Sequence, residues 1–254
     1  MALKSGAIES ERDTGNLDIL FLGTGNATSS EGRAHSSFFV NGQYLFDAGP
    51  TALQQLKKSR INPGDVRVIL ISHFHADHFF GLPFLLLDYW IANREDELHI
   101  VGPPGIEART EELLELAFPG LPVRNKIYRR RYIEIDDGVD GEVEGLEFTA
   151  FEVQHVPSLR CFGYRTRIAG RTLAYSGDSV VCPGLLSLVT EAEVLVLDCS
   201  NDSDPVHLTS RDLITVMANA PEKATTIVSH LDDSSTAAGM SNVLVASDLG
   251  RFRF

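Results

Sequence analysis

Short apolar runs closed by turn residues recur along the chain. LDILFLG (17–23) alternates and then runs apolar into the loop GTGNATSS, which predicts a strand followed by a loop. SSFFV and QYLFDAG flank Asn41-Gly42 over 36–49. That dipeptide tolerates positive φ at both turn positions and predicts a hairpin. Thr51 is placed to cap a helix running to about Arg60, closed by NPG. VRVILIS (66–72) is a buried strand, FFGLPFLLLDYWIANRE is partly helical, and LHIVGPPG is another strand and turn. IEARTEELLELAF carries leucines at helical spacing.

Residues 123–153 are strand-rich, and RIAGRTLAYSGD (167–178) predicts two strands around Ala169-Gly170. VLVLDCS (194–200) and TTIVSH (225–230) are short buried strands with a helix between them near 210–219. The stretch after Ala238 predicts one final strand. Strand–helix alternation in both halves, without a Pro-, Ser- or Gly-rich linker, fits one α/β domain of two similar halves over 17–254. Residues 1–16 are polar and predict a loose tail.

Composition adds limits. With 254 residues, 43% hydrophobic and 22% charged, the chain is of ordinary globular make-up. A formal net charge of −13 disfavours broad binding to polyanions. Three cysteines, Cys161, Cys182 and Cys199, are too few and too scattered for a disulfide framework or a thiolate metal site. The first residues lack a secretory pattern, and no apolar run approaches the roughly 18 residues of a membrane span. The expectation is a soluble cytoplasmic protein.

The chemistry concentrates at one place. His73, His75, Asp77 and His78 follow directly on the apolar run 66–72. His73 and His75 can converge on one metal ion, and Asp77 and His78 on a neighbouring position. Imidazole nitrogen with carboxylate oxygen suits zinc, with manganese or iron as alternatives. A surface loop with no common role would account for a lone histidine, but four such residues at the end of a buried strand point to metal binding. Other strand-like runs end in the same way: FTAFEVQH at His155, LAYSGD at Asp178 and ATTIVSH at His230. Together these residues supply seven ligands, enough for two metal ions.

HFHADH, a later lone histidine, a GD and a final SH resemble the metallo-β-lactamase superfamily. LGTG (22–25), LFDAG (45–49), SHFHADHFFGLPFLL (72–86) and VGPPGIEARTEELL (101–114) resemble its ribonuclease Z branch. The resemblance implies a four-layer αββα sandwich and two zinc ions. It implies that His73, His75 and His155 hold the first ion, that Asp77, His78 and His230 hold the second, and that Asp178 spans both. The implied chemistry is hydrolysis by a metal-bridging hydroxide, with Asp77 counted among the catalytic groups. His207, in VHLTSRDL, resembles the histidine that the branch places beside its metals as general acid, and Asp198 could orient it. A solvent-exposed histidine at a helix start is the alternative. His35 could border the cleft, and His99 is read as packing.

The chain also departs from the branch. Only 23 positions separate His155 from Asp178, room for a hairpin but not for a tRNA-gripping arm. LDDSSTAAGM follows His230, where the branch has a serine and then a basic–aromatic pair. The basic run RNKIYRRRY (124–132) could face phosphates, but it reads more readily as a solvated strand. The expectation is therefore a phosphodiesterase for a nucleotide-like or other small diester. tRNA 3′ processing, hydrolysis of an ester, lactam or thioester, and a non-enzymatic metal-dependent binding role are the alternatives. Nucleic acid is disfavoured as a partner, no membrane is expected, and FFGLPFLLLDYWI offers an apolar face for a homodimer.

Overall fold

The computed structural model describes residues 15–120, 128–201, 203–233, 237 and 239–254. The expected tail therefore lies almost wholly outside the described residues, as do positions 124–127 of the basic run and part of the segment after Asp233.

The first half forms β1 (Asp18–Gly23), β2 (Ser37–Val40), β3 (Tyr44–Phe46), β4 (Val68–Leu70), β5 (Leu98–Gly102) and β6 (Arg130–Glu134). The second half forms β7 (Asp140–Val143), β8 (Leu146–Val153), β9 (Cys161–Ile168), β10 (Arg171–Tyr175), β11 (Val194–Asp198), β12 (Thr225–Ser229) and β13 (Val243–Val245). Each half opens with antiparallel strands and continues with parallel ones, β3 to β6 in the first and β10 to β13 in the second. The predicted hairpin turns have the expected geometry, with φ of 46° and 70° at Asn41 and Gly42 and of 50° and 79° at Ala169 and Gly170.

The segment 239–254 differs from its expectation. It forms two strands, β13 in the second sheet and β14 (Arg251–Arg253), which returns to pair antiparallel with β1. Each sheet thus has seven strands. Phe252 supplies the reason for the return, because its ring meets Phe21 edge-on at 5.7 Å.

Apolar side chains alternate inward from both sheets and meet in one core containing Phe21, Phe38, Phe46, Phe148, Phe162 and Tyr164. Burying each ring fully contributes about 1.5–3 kcal/mol. α1 (Ala52–Lys58), α2 (Ala76–Phe79), α3 (Leu82–Ile91) and α4 (Ile106–Ala117) cover the outer face of the first sheet. α5 (Pro183–Val189) and α6 (Ser210–Met217) cover the second. The architecture is the expected αββα sandwich.

α1 is shorter than predicted, and Thr51 does not cap it. Its Oγ1 instead accepts the His35 backbone N–H at 2.9 Å, which ties α1 to the loop after β1. α6 begins with a capping box between Thr209 and Asp212. His99 is buried in β5, as the packing reading expects. Phe80, Phe84 and Ile91 remain exposed on and beside α3. Among the described residues, no helix is long and apolar enough to cross a membrane.

Candidate metal centre

The parallel strands of both sheets end at one edge of the sandwich, and the chain leaves each of them with a polar residue. β3 leads to Asp47, β4 to Ser72 and His73, β10 to Asp178 and β12 to His230, while β11 ends on Asp198. Strand ends in α/β folds are rigid mounts for functional groups.

Asp178 sits at the centre. Its Oδ2 lies 3.7 Å from His73 Nε2, 3.8 Å from His155 Nε2, 3.1 Å from His78 Nε2 and 3.4 Å from His230 Nε2. His155 Nε2 is 3.1 Å from His75 Nδ1. Asp77 Oδ2 is 3.3 Å from His78 Nε2 and 3.2 Å from His230 Nε2. Two groups result, His73/His75/His155/Asp178 and Asp77/His78/Asp178/His230, and within each the possible ligand atoms lie within 4.8 Å of one another.

The donor set fits divalent cations. His73 Nε2, His78 Nε2 and Asp178 Oδ1 are buried without a hydrogen-bond partner, and the two nitrogens belong to rings that point to Asp178. Orphaned buried polar atoms are costly unless something else satisfies them. The outer ring nitrogens of His73, His78 and His155 are already engaged, which leaves their inner ones free for a metal. His73 Nδ1 lies 3.0 Å from Ser72 Oγ, His78 Nδ1 2.7 Å from Asp47 Oδ2 and His155 Nδ1 2.9 Å from the Val206 carbonyl.

The charges are strongly interdependent. Burial alone would raise the Asp178 carboxyl, but the imidazoles of His230, His78 and His73 outweigh it and hold the group well below the usual carboxylate range. Burial also opposes charge on His78, yet Asp178, Asp47 and Asp77 raise it well above the usual imidazole range. Burial and the neighbouring His78 hold His73 neutral.

A third group stands beside these. His207 Nδ1 is 3.1 Å from Asp198 Oδ2 and 3.9 Å from Asp178 Oδ2. Burial works against the imidazolium, but the hydrogen bond to Asp198 and the charge of Asp178 raise its pKa to about 9. Every sequence-predicted site residue thus falls in one cluster. His35 Nε2 lies 3.2 Å from Ser29 Oγ.

Sequence reasoning missed Asp47 and Asp204. Asp47 is fully buried, and Oδ1 accepts the Ser72 backbone N–H at 2.7 Å. Its Oδ2 accepts from Ser72 Oγ, His78 Nδ1 and Tyr175 Oη at 2.7, 2.7 and 2.6 Å. Its place in LFDAG, directly after a strand, was the available signal. Asp204 Oδ1 accepts the backbone N–H groups of Val206 and His207 at 2.9 and 3.2 Å, which shapes the loop that positions both His155 and His207.

Backbone crowding fixes the centre further. A Cβ on Gly49 would lie 1.9 Å from the Asp77 carbonyl oxygen, and one on Gly81 would lie 2.1 Å from the Gly49 carbonyl oxygen. Asp47 and His230 adopt left-handed φ of 54° and 58°. Such strain costs on the order of 1–3 kcal/mol per residue and persists where the surroundings over-determine it.

A family model for the beta-lactamase superfamily domain matches residues 43–231. The chain is 29% identical over 244 residues to a ribonuclease Z of Listeria monocytogenes, covering 92% of this chain and 74% of that protein. The structure of human tRNase Z, short form, superposes with a TM-score of 0.73 at 26% identity, covering 92% of this chain and 98% of that one. A diphosphatase of the PhnP family superposes with a TM-score of 0.73 at 19% identity, over 94% and 98% of the two chains.

Proposed function

Because the chain belongs to the metallo-β-lactamase superfamily, within its ribonuclease Z-like branch, we propose that it is a phosphodiesterase working with two metal ions, zinc by preference. The chain is a metal-dependent hydrolase, and its His/Asp cluster supports binding of divalent cations. The observation that carries the finer reading is the central Asp178, flanked by one ligand group on each side and by His207 on a third. In this reading His73, His75 and His155 would hold one ion and Asp77, His78 and His230 the other, with Asp178 available to both. When bound, such a pair supplies an activated water and Lewis-acid stabilisation of the phosphoryl oxygens.

The remaining work falls to side chains. Asp198 holds His207 in one orientation and keeps it protonated, so that it can donate to the departing alkoxide. Asp47 holds His78 with Nε2 turned inward. Asp77 acts as a ligand and as a catalytic charge beside His230. The three buried cysteines are free thiols, which supports a reducing cytoplasmic setting.

A small or nucleotide-like diester is preferred as substrate. The segment from His155 to Asp178 contains the β9–β10 hairpin and no longer insertion, and the net charge is −13. The second reading is tRNA 3′ processing, favoured by the length and identity of the match to ribonuclease Z and to human tRNase Z. Either would suit a homodimer joined through the exposed Phe80, Phe84 and Ile91.

The test is hydrolysis of bis-p-nitrophenyl phosphate and of a precursor tRNA by metal-loaded wild type and His207→Ala. Diester turnover that falls about 10²–10⁴-fold in the variant with metal retained supports the proposal. Precursor cleavage as the dominant activity supports the second reading.

A further inference from the structure

A recess of about 100 Å³ opens beside the metal centre, with His207 and His230 in its wall. The rest of the wall includes Asn26, Thr28, Asp204 and Asp232. Because His207 also flanks Asp178, the recess adjoins the metal centre on the side of the proposed general acid.

Its shape is built. Asp232 joins three loops: Oδ1 accepts from Asn26 Nδ2, and Oδ2 accepts from Ser200 Oγ at 2.5 Å and from the Asn201 N–H at 3.1 Å. Ser200 Oγ also lies 2.9 Å from Asp204 Oδ2, so the two carboxylates share one hydroxyl. Leu231 N–H donates to the Thr24 carbonyl at 2.8 Å, which closes the loops behind the wall.

Its chemistry is one-sided. Among the described residues no lysine or arginine lines the recess, while two carboxylates do. A second feature points to a ligand. His230 is 3% exposed, its Nε2 is turned to Asp77, and its buried Nδ1 has no partner. The wall thus combines two carboxylates with the His230 ring, a set of acceptors that a hydrogen-bond donor on a ligand can satisfy.

We propose that this recess is a specificity subsite for a small ester arm bearing a hydrogen-bond donor and no negative charge, and that it rejects arms carrying a carboxylate or further phosphate. The proposal rests on the phosphodiesterase reading above and sets its substrate class.

Symmetric diesters test it, because either arm then presents the same group to the recess. Hydrolysis of bis(2-hydroxyethyl), bis(2-aminoethyl) and bis(2-carboxyethyl) phosphate by the metal-loaded enzyme would be followed by phosphorus NMR. The expected kcat/KM favours the hydroxyethyl ester over the carboxyethyl ester by about tenfold or more, through like-charge exclusion. Asp232→Asn should reduce that ratio by about threefold or more with metal content unchanged. Thr28→Lys, at an exposed position of the wall, should reduce or reverse it. A preference for the aminoethyl ester would identify a cationic arm as the donor and support the proposal. Equal turnover of all three esters, or a ratio that neither variant changes, would overturn it while leaving the diesterase reading intact. Metal-loaded enzyme that hydrolyses neither these esters nor bis-p-nitrophenyl phosphate would overturn both.

Discussion

Tyr175, the last residue of β10, donates its hydroxyl across the sheet interface to Asp47 at 2.6 Å, and the same carboxylate oxygen accepts from His78 Nδ1 at 2.7 Å. The strand that delivers Asp178 is thereby fastened to the group that orients His78. Tyr175→Phe keeps the ring packed edge-on to Phe38 and Phe46 but removes a hydrogen bond to a buried charge. The expected loss is about 1.5–3 kcal/mol of stability in the metal-free protein, read by denaturant unfolding. Affinity for the ion on the His78 side should fall about 10–100-fold, read by metal titration.

His207 gives a pH signature. Its folded pKa is raised to about 9, so its contribution to stability is full below the unfolded value near 6.5 and is lost as pH rises through about 9. Turnover that needs the protonated ring should fall over the same upper range. Asp198→Asn removes the bond that raises this pKa, so the alkaline limb should move to lower pH. A pH–rate profile of the two proteins, with an imidazole NMR titration of the metal-free forms, measures both effects.

Gly49→Ala should be severe. The added methyl would overlap the Asp77 carbonyl oxygen at 1.9 Å, so the backbone before His78 must move. The expectation is destabilisation of about 3 kcal/mol or more with loss of tight metal binding. Gly64→Ala is the control, because there the nearest atom is a flexible Asn62 side-chain nitrogen at 3.2 Å. Thermal unfolding and metal content distinguish the two.

Most of the centre was legible because its residues follow apolar strand runs. The positions of His73, His155, Asp178 and His230 depend only on where those strands stop. Asp47 was not legible in its role, since the bond to Tyr175 exists only once the two sheets face one another. Thr51 misled for a similar reason, as its hydroxyl accepts from the His35 backbone N–H in the loop after β1, 16 residues earlier. The return of β14 to the first sheet rests on Phe252 meeting Phe21, a pairing that local pattern does not encode.

Removing residues 251–254 tests that last contact. Asp18 pairs with Arg251 and Arg253 at 2.6 and 3.1 Å, but these groups are exposed and add little. The lost packing of Phe252 should cost about 1–3 kcal/mol. Asp248, which holds Thr24 and Ala34, stays in place. The truncated protein should therefore melt at a lower temperature and still bind metal, as calorimetry and elemental analysis would show.

The most direct test of the dinuclear account is the metal-to-chain ratio of protein reconstituted with zinc, measured for wild type and Asp178→Ala. The account predicts about two ions per wild-type chain and a clear loss in the variant, because Asp178 faces both ligand groups. A wild-type ratio of one or zero, or a variant that keeps both ions, would contradict it.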